Sequence, residues 1–237
     1  RHMNTIKELI PPSDQSPILS VVKEELNTLE TLLEGAFLIG EITPKLSDKI
    51  VSYGELLSSY IISSYLSSSG LDCLHTDART HIITKDLQGK AQLSYPVRYQ
   101  RIQDFESKNQ SAIVVLGGFI ASSESGISTT LGRGGSDFTA AIVAAALDAA
   151  LLEIYTDVSG MYTANPKIVK QARPIAQISY EEAMELSHFG AKVLYPPTIQ
   201  PVLKSQIPMR IKNTFDPGAA GTLITANEVP DHQTVQG

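Results

Sequence analysis

Residues 129–137, TTLGRGGSD, set one guanidinium among three glycines and end on a hydroxyl and a carboxylate. An alanine-rich run, FTAAIVAAALDAALL, follows at once. A helix beginning there presents free N–H groups and a partial positive charge, which together make an anion site. Gly134 and Gly135 let backbone N–H groups face the anion with no Cβ in the way. Arg133 can grip a carboxylate or phosphate through two parallel bonds. The plainer reading is a turn in which Ser136 or Asp137 caps the helix, and this segment alone leaves both open.

Three other residues carry chemistry only conditionally. Asp157, in YTDVSG, can bind Mg²⁺, orient a cation or cap a turn. Lys192, in FGAKVLYP, either complements a helix dipole or acts as a partly buried ammonium. Glu55, in IVSYGELLSSYII, reads on its own as a solvated helix residue. His188 reads as a packed or capping side chain. The chain has no GxxxxGK[ST] phosphate loop and no His/Cys cluster with metal-ligand spacing, and its five histidines assemble no hydrolase triad.

A strand, a loop, a helix and a second strand must hold these groups. Ala112–Leu116 is a continuous apolar run, the mark of a strand covered on both faces, and Gly117-Gly118 follow it. ESGIST (124–129) reads as a turn into the glycine motif, 138–150 as a helix and LLEIYTD (151–157) as a strand. This order predicts an α/β fold, a three-layer sandwich with a largely parallel central sheet. Ligands in such sheets bind beyond the carboxyl ends of the strands. Gly117-Gly118-Phe119, Thr156-Asp157 and the GRGGSD turn are therefore expected to converge.

Upstream, PPSDQSP (11–17) reads as a turn-rich opening, and 21–39 as a helix with Val22, Leu26, Leu29, Leu32 and Leu33 on its period. A second helix is expected to start at Ser47 or Asp48, run to Ser67 and end at Gly70. LDCLHTD (71–77) reads as a buried strand and 80–95 as a hairpin around Gly89. Downstream, 158–169 is an irregular loop. Ser179 and Glu182 form a capping box for a helix to Phe189, stopped by Gly190. A short helix (197–206) and closing strands (207–214, 221–224) follow, then a polar linker-like tail.

Of the 237 residues, 42% are hydrophobic and 19% charged, which suits a globular core. A net charge of −6 argues against a nucleic-acid surface, though not against a local pocket for a small anion. One cysteine, Cys73, excludes an internal disulfide and fits a reducing, cytoplasmic setting. The apolar windows are too short or too serine-rich to span a membrane. Arg1-His2-Met3 reads as an expression-vector remnant.

TTLGRGGSDFTAA, EIYTDVSGMYTANP and ELSHFGAKVLYPPTI occur in this order and closely resemble the signature segments of aspartokinases, within the amino acid kinase superfamily. The resemblance runs from about Ser47 to Ile224. ISYEEAMELSHFGAKVLYP and IPMRIKNTFDPGAAGTLI are most similar to the kinase portion of bifunctional aspartokinase–homoserine dehydrogenases. The resemblance implies an amino acid kinase-like (carbamate kinase-like) fold. It also implies Mg²⁺-dependent transfer from ATP to the β-carboxylate of L-aspartate, the entry to lysine, threonine, methionine and isoleucine synthesis.

By the same resemblance, Arg133 holds the substrate α-carboxylate, Gly134, Gly135 and Ser136 line that pocket, and Glu55 takes the ammonium. Phe119 packs on the substrate and Asp137 orients catalytic lysines. Thr156, Asp157, Tyr162, Lys167 and Val193 lie along the nucleotide, and Lys192 neutralises charge on the phosphates in transfer. Residues 4–110 form the substrate-side part, 111–226 the nucleotide-binding part and 227–237 the start of a linker.

Two departures qualify this. The family's opening strand and KFGGTS-type loop have no counterpart in NTIKELIPPSDQSP, so the chain is expected to lack the first strands and to turn over weakly or not at all. Strand edges left bare predict a homo-oligomer. The nucleotide loop reads Asn165-Pro166-Lys167 where the family has an acidic residue and arginine, and Lys167 keeps the charge without the planar fork. A kinase of glutamate or N-acetylglutamate, and a non-catalytic ligand-binding module, are the alternatives.

Overall fold

The computed structural model describes residues 1–85, 92–93, 95–165, 168–189, 194 and 199–226, with the backbone alone at 92–93, 95–98 and 188–189. The chain divides into two compact units, Arg1–Ser136 and Asp137–Gly237; the motifs placed the functional division at 110/111.

The first unit opens with three helices, α1 (His2–Leu9), α2 (Pro12–Ile39) and α3 (Pro44–Ser68). PPSDQSP is thus no turn-rich opening but the start of α2. Proline at the first helical position removes an N–H that has no partner anyway, so Pro12 starts the helix and Pro17 lies within it. The expected vector remnant falls on α1 and its N-cap, Arg1. Ile6, Ile10, Ile18, Val22, Leu57 and Ile61 form the core that joins these helices.

The second helix begins earlier than expected, because Thr43-Pro44 supplies the N-cap and first position: the Thr43 hydroxyl accepts the Leu46 N–H at 3.3 Å. Asp48 is released from capping, and its carboxylate accepts the Thr130 hydroxyl at 2.9 Å instead. On α3, Ser52, Ser59 and Ser63 are buried. The Ser52 and Ser59 hydroxyls return to helix carbonyls at 2.7 and 2.8 Å, which lets polar side chains enter an interior.

Strands β1 (Cys73–His75), β2 (Ile83–Lys85) and β3 (Gln92–Leu93) precede α4 (Tyr95–Lys108), then β4 (Ile113–Val115), β5 (Ile120–Ser123) and β6 (Ser128–Thr130) follow. β1 pairs with β4 in parallel, and β3-β2-β5-β6 form a four-stranded sheet. β2 and β3 are antiparallel, as the hairpin reading required. The 112–116 run is not covered on both faces, since Val114 is 38% exposed, and β1 is only half-buried. Residues 124–129 are more than a turn: they close an antiparallel hairpin between β5 and β6.

Helix α5 (Gly135–Ala146) starts inside the glycine motif and stops short of 150. The second unit continues with β7 (Leu152–Thr156), β8 (Gln177–Ser179), α6 (Tyr180–Phe189), α7 (Gln200–Lys204), β9 (Met209–Asn213) and β10 (Thr222–Thr225). Its sheet has the order β7-β9-β10-β8. One core, with Ile154, Met161, Tyr180, Met209 and Ile211 among its members, fills this unit. Among the described residues four of the seven strand pairings are parallel, and no helix is long and apolar enough to cross a membrane. The α/β class and its parallel bias stand, and hydrogen bonding groups the described strands into three sheets.

Candidate active site

Three glycines assemble the first half of the site by what they leave out. A Cβ on Gly117 would stand 3.0 Å from the Glu55 carbonyl oxygen and 3.1 Å from the Glu55 Cβ. One on Gly118 would stand 2.8 Å from the Ser136 Cα, and one on Gly135 2.8 Å from the Phe119 Cδ2. Side chains there would push apart α3, the corner after β4 and the start of α5. Glu55, Phe119, Gly135 and Ser136, expected to act together, are therefore brought together by bare backbone.

Phe119 sits at the centre of this corner with φ 70. The Ile120 N–H donates to the Gly118 carbonyl at 2.8 Å, closing a γ-turn around it. A non-glycine residue held there stores about 1–3 kcal/mol of strain. The Leu131 N–H donates to the Phe119 carbonyl at 2.8 Å and ties the corner to the exit of the hairpin.

From there the chain turns through Gly132 (φ 71) and Gly134 (φ 70), with the Gly135 N–H donating to the Gly132 carbonyl at 3.0 Å. Arg133 rides on this turn with an exposed side chain. Exposed Ser136 and half-buried Asp137 follow in the first turn of α5. Burial pushes the Asp137 carboxyl above the usual aspartate value, although a helix N-terminus favours its charge.

Burial likewise pushes the Glu55 carboxyl up, and no charged neighbour among the described residues offsets it. The turn that carries Glu55 is held from below. Ser59 gives its single proton to the Glu55 carbonyl at 2.8 Å, so the His75 Nε2, 3.0 Å from the same hydroxyl, is the donor to it. Burial keeps His75 neutral, lowering its pKa against the pull of Asp77. The sequence gives no cue to this pair: Ser59 lies in a serine-rich helix and His75 in a short strand, and only their packing joins them.

The second unit carries another group. Asp157 lies just past the carboxyl end of β7 with an exposed carboxylate, which accepts the Thr156 hydroxyl at 3.3 Å. The Thr214 N–H donates to the Thr156 carbonyl at 2.8 Å. Tyr162, half-buried, bridges antiparallel to Pro174. Lys167, Lys192 and Val193 lie outside the described residues, as does Gly190. No group of three or more His, Cys, Asp or Glu among the described residues could hold a metal. Mg²⁺ in phosphoryl-transfer sites takes one or two carboxylates plus the substrate's phosphates, and the lone exposed Asp157 at a strand end fits that pattern.

The chain spans 25% of bifunctional aspartokinase/homoserine dehydrogenase 1 of Arabidopsis thaliana, to which it is 37% identical over 94% of its own length. It is 38% identical to lysine-sensitive aspartokinase 3 of Escherichia coli, covering 86% of this chain and 46% of that one. In three dimensions it matches E. coli aspartokinase III solved with aspartate and ADP, with a TM-score of 0.85, 35% identity, and coverage of 95% of this chain and 49% of that chain. The amino acid kinase family model matches residues 5–213, a span that contains the Glu55 helix, the glycine corner and the Asp157 strand end. The chain belongs to the amino acid kinase family.

Proposed function

We propose that the chain is the kinase portion of an aspartokinase, binding L-aspartate on the first unit's residues and Mg·ATP along the second's. The observation that carries this reading is Glu55: a half-buried carboxylate with no compensating charge among the described residues, packed on the same glycine corner as the Arg133 turn. Such a carboxylate favours a free ammonium. Arg133 favours a carboxylate in two-pronged contact. Together they read a zwitterionic α-amino acid, and they disfavour an N-acetylated acceptor, which has no ammonium to offer. The similarity to aspartokinases favours aspartate among amino diacids.

In this reading Glu55 fixes the substrate ammonium and Arg133 its α-carboxylate, with the Gly134 and Gly135 N–H groups and Ser136 lining the pocket. Phe119 packs on the substrate carbons and leaves the β-carboxylate as the reacting end. Asp137, whose charge burial disfavours, orients catalytic lysines, and Lys192 neutralises charge on the phosphates. Thr156, Asp157, Tyr162, Lys167 and Val193 hold the nucleotide. Mg·ATP, when bound, would supply the phosphoryl group, and its metal would neutralise the charge that develops on it. No proton is moved, since a carboxylate attacks; the protein's work is alignment and charge neutralisation. The products are 4-phospho-L-aspartate and ADP, the leaving group. A homo-oligomer and a place at the head of lysine, threonine and methionine synthesis belong to the same proposal.

The test is calorimetric titration of the chain with Mg·ADP, L-aspartate, L-glutamate and N-acetyl-L-glutamate. L-aspartate should bind best. Glu55→Gln should weaken it by roughly 10- to 100-fold, the worth of one charge-assisted contact, and leave Mg·ADP binding intact. Unchanged aspartate affinity in Glu55→Gln would remove the ground for this reading.

A further inference from the structure

Thr222 opens β10 and is wholly buried, with 0% of its surface exposed. Its hydroxyl is used in both directions. It accepts the Met161 N–H at 2.7 Å and donates to the Ile175 carbonyl at 2.6 Å. Those two segments also bond directly, Ile175 N–H to Met161 carbonyl, at 2.9 Å. Beside them, Gly160 adopts φ 115, and a Cβ on it would lie 2.5 Å from the Thr222 Oγ1 and 2.9 Å from the Thr222 nitrogen. The loop leaving β7 is thus pressed, as bare backbone, onto one side chain.

That loop is the piece of chain between Asp157 and Tyr162. Its flanks are tied as well: the Asn213 Nδ2 donates to the Ser159 hydroxyl at 2.9 Å, and the Thr163 N–H to the Arg173 carbonyl at 3.0 Å. These ties involve half-buried or exposed residues, where water can replace a lost partner. The Thr222 hydroxyl has no such substitute. Deleting it strands a buried N–H and weakens a buried carbonyl, and the backbone must move to find other partners.

We propose that Thr222 is a positioning residue of the nucleotide side: its hydroxyl sets the path of the 157–162 loop, and through it the placement of Asp157 and Tyr162. The proposal rests on the reading of those residues as nucleotide contacts. Thr222 is wholly buried and lies far along the sequence from the loop it holds.

The experiment compares Thr222→Val, which keeps the shape and loses the hydroxyl, with Thr222→Ser, which keeps the hydroxyl. Mg·ADP and L-aspartate affinities are measured by calorimetry on each variant and on the wild type. Thr222→Val should bind Mg·ADP roughly tenfold more weakly, a loss of about 1.4 kcal/mol. Thr222→Ser should stay within about twofold of wild type, and L-aspartate affinity should hold in both. A merely structural threonine would lower thermal stability and leave this nucleotide-specific loss and its rescue by serine absent. Wild-type Mg·ADP affinity in Thr222→Val, or an equal fall in aspartate affinity, overturns the proposal. Should Thr222→Val not fold, amide exchange at Met161 in the wild type decides: Mg·ADP should slow it, and no change counts against. A wild type that binds no Mg·ADP refutes the nucleotide reading itself, and this inference with it.

Discussion

Gly54 and Gly118 carry opposite expectations at the level of the single residue. Gly54 lies inside α3 beside Glu55, and a Cβ there would meet nothing within 4 Å. Gly54→Ala should stabilise the first unit by about 0.5–1 kcal/mol, because alanine loses less conformational freedom in a helix. Gly118→Ala puts a methyl 2.8 Å from the Ser136 Cα. It should cost about 1–3 kcal/mol and impair L-aspartate binding. Urea melts of both variants, with calorimetry on the second, check this pair, and equal effects would contradict it. Both residues are simply glycine in the sequence. The polar and charged members of the proposed site came from residue type and spacing together with the family resemblance. The clearances between them were not, because a clearance is a property of two segments.

Among the elements, caps separate what the sequence shows from what it hides. The Ser179–Glu182 box stands as read: the Glu182 Oε2 accepts from the Ser179 N–H at 2.9 Å, and the Ser179 hydroxyl accepts the Glu182 N–H at 3.2 Å. Ser179→Ala should therefore cost about 1 kcal/mol in a denaturant melt. The start of α3 offers two cap patterns close together, Thr43-Pro44 and Ser47-Asp48, and periodicity cannot rank them. Thr43→Ala should cost about 1 kcal/mol through the helix. Asp48→Ala should act on the β6 end, through Thr130, and spare the helix start. Amide exchange along 45–48 distinguishes the two: Thr43→Ala speeds it and Asp48→Ala leaves it alone. Helix α4 escaped the sequence reading because its pattern is polar. Its anchors are tertiary, a buried Ile102 and the Phe105 ring 4.5 Å from that of His81.

For the molecule as a whole, pH gives a direct reading. Burial lowers the pKa of both His75 and His81, with Asp77 opposing in each case. The unfolded chain then binds more protons than the folded one as pH falls through the ordinary histidine value of 6.5. Stability is full above that value and declines below it, toward the lowered folded values. Glu55 and Asp137 act in the other direction: their raised pKa values favour the fold in acid and disfavour it as pH rises through those values. The first unit's melting temperature should drop between about pH 7 and pH 5, and a flat profile across that range would contradict the lowered pKa of these half-buried imidazoles. At this scale the sequence conveyed the α/β class and its parallel bias, since apolar runs and crossover helices are local patterns. It did not convey that Val114 stays partly exposed or that residues 124–129 close a hairpin, since burial and pairing depend on what lies alongside.

The glycine corner also has a genetic consequence. The nearest obstacle to a Cβ on Gly118 is the Ser136 Cα, a backbone atom, whereas the nearest obstacle to one on Gly135 is the Phe119 Cδ2, part of a side chain. No substitution at 136 removes a Cα, so a selection for second-site revertants of Gly118→Ala should never recover changes at that position. A selection starting from Gly135→Ala should recover smaller residues at 119. The two glycines look alike in the sequence, yet one defect is repairable by its neighbour and the other is not.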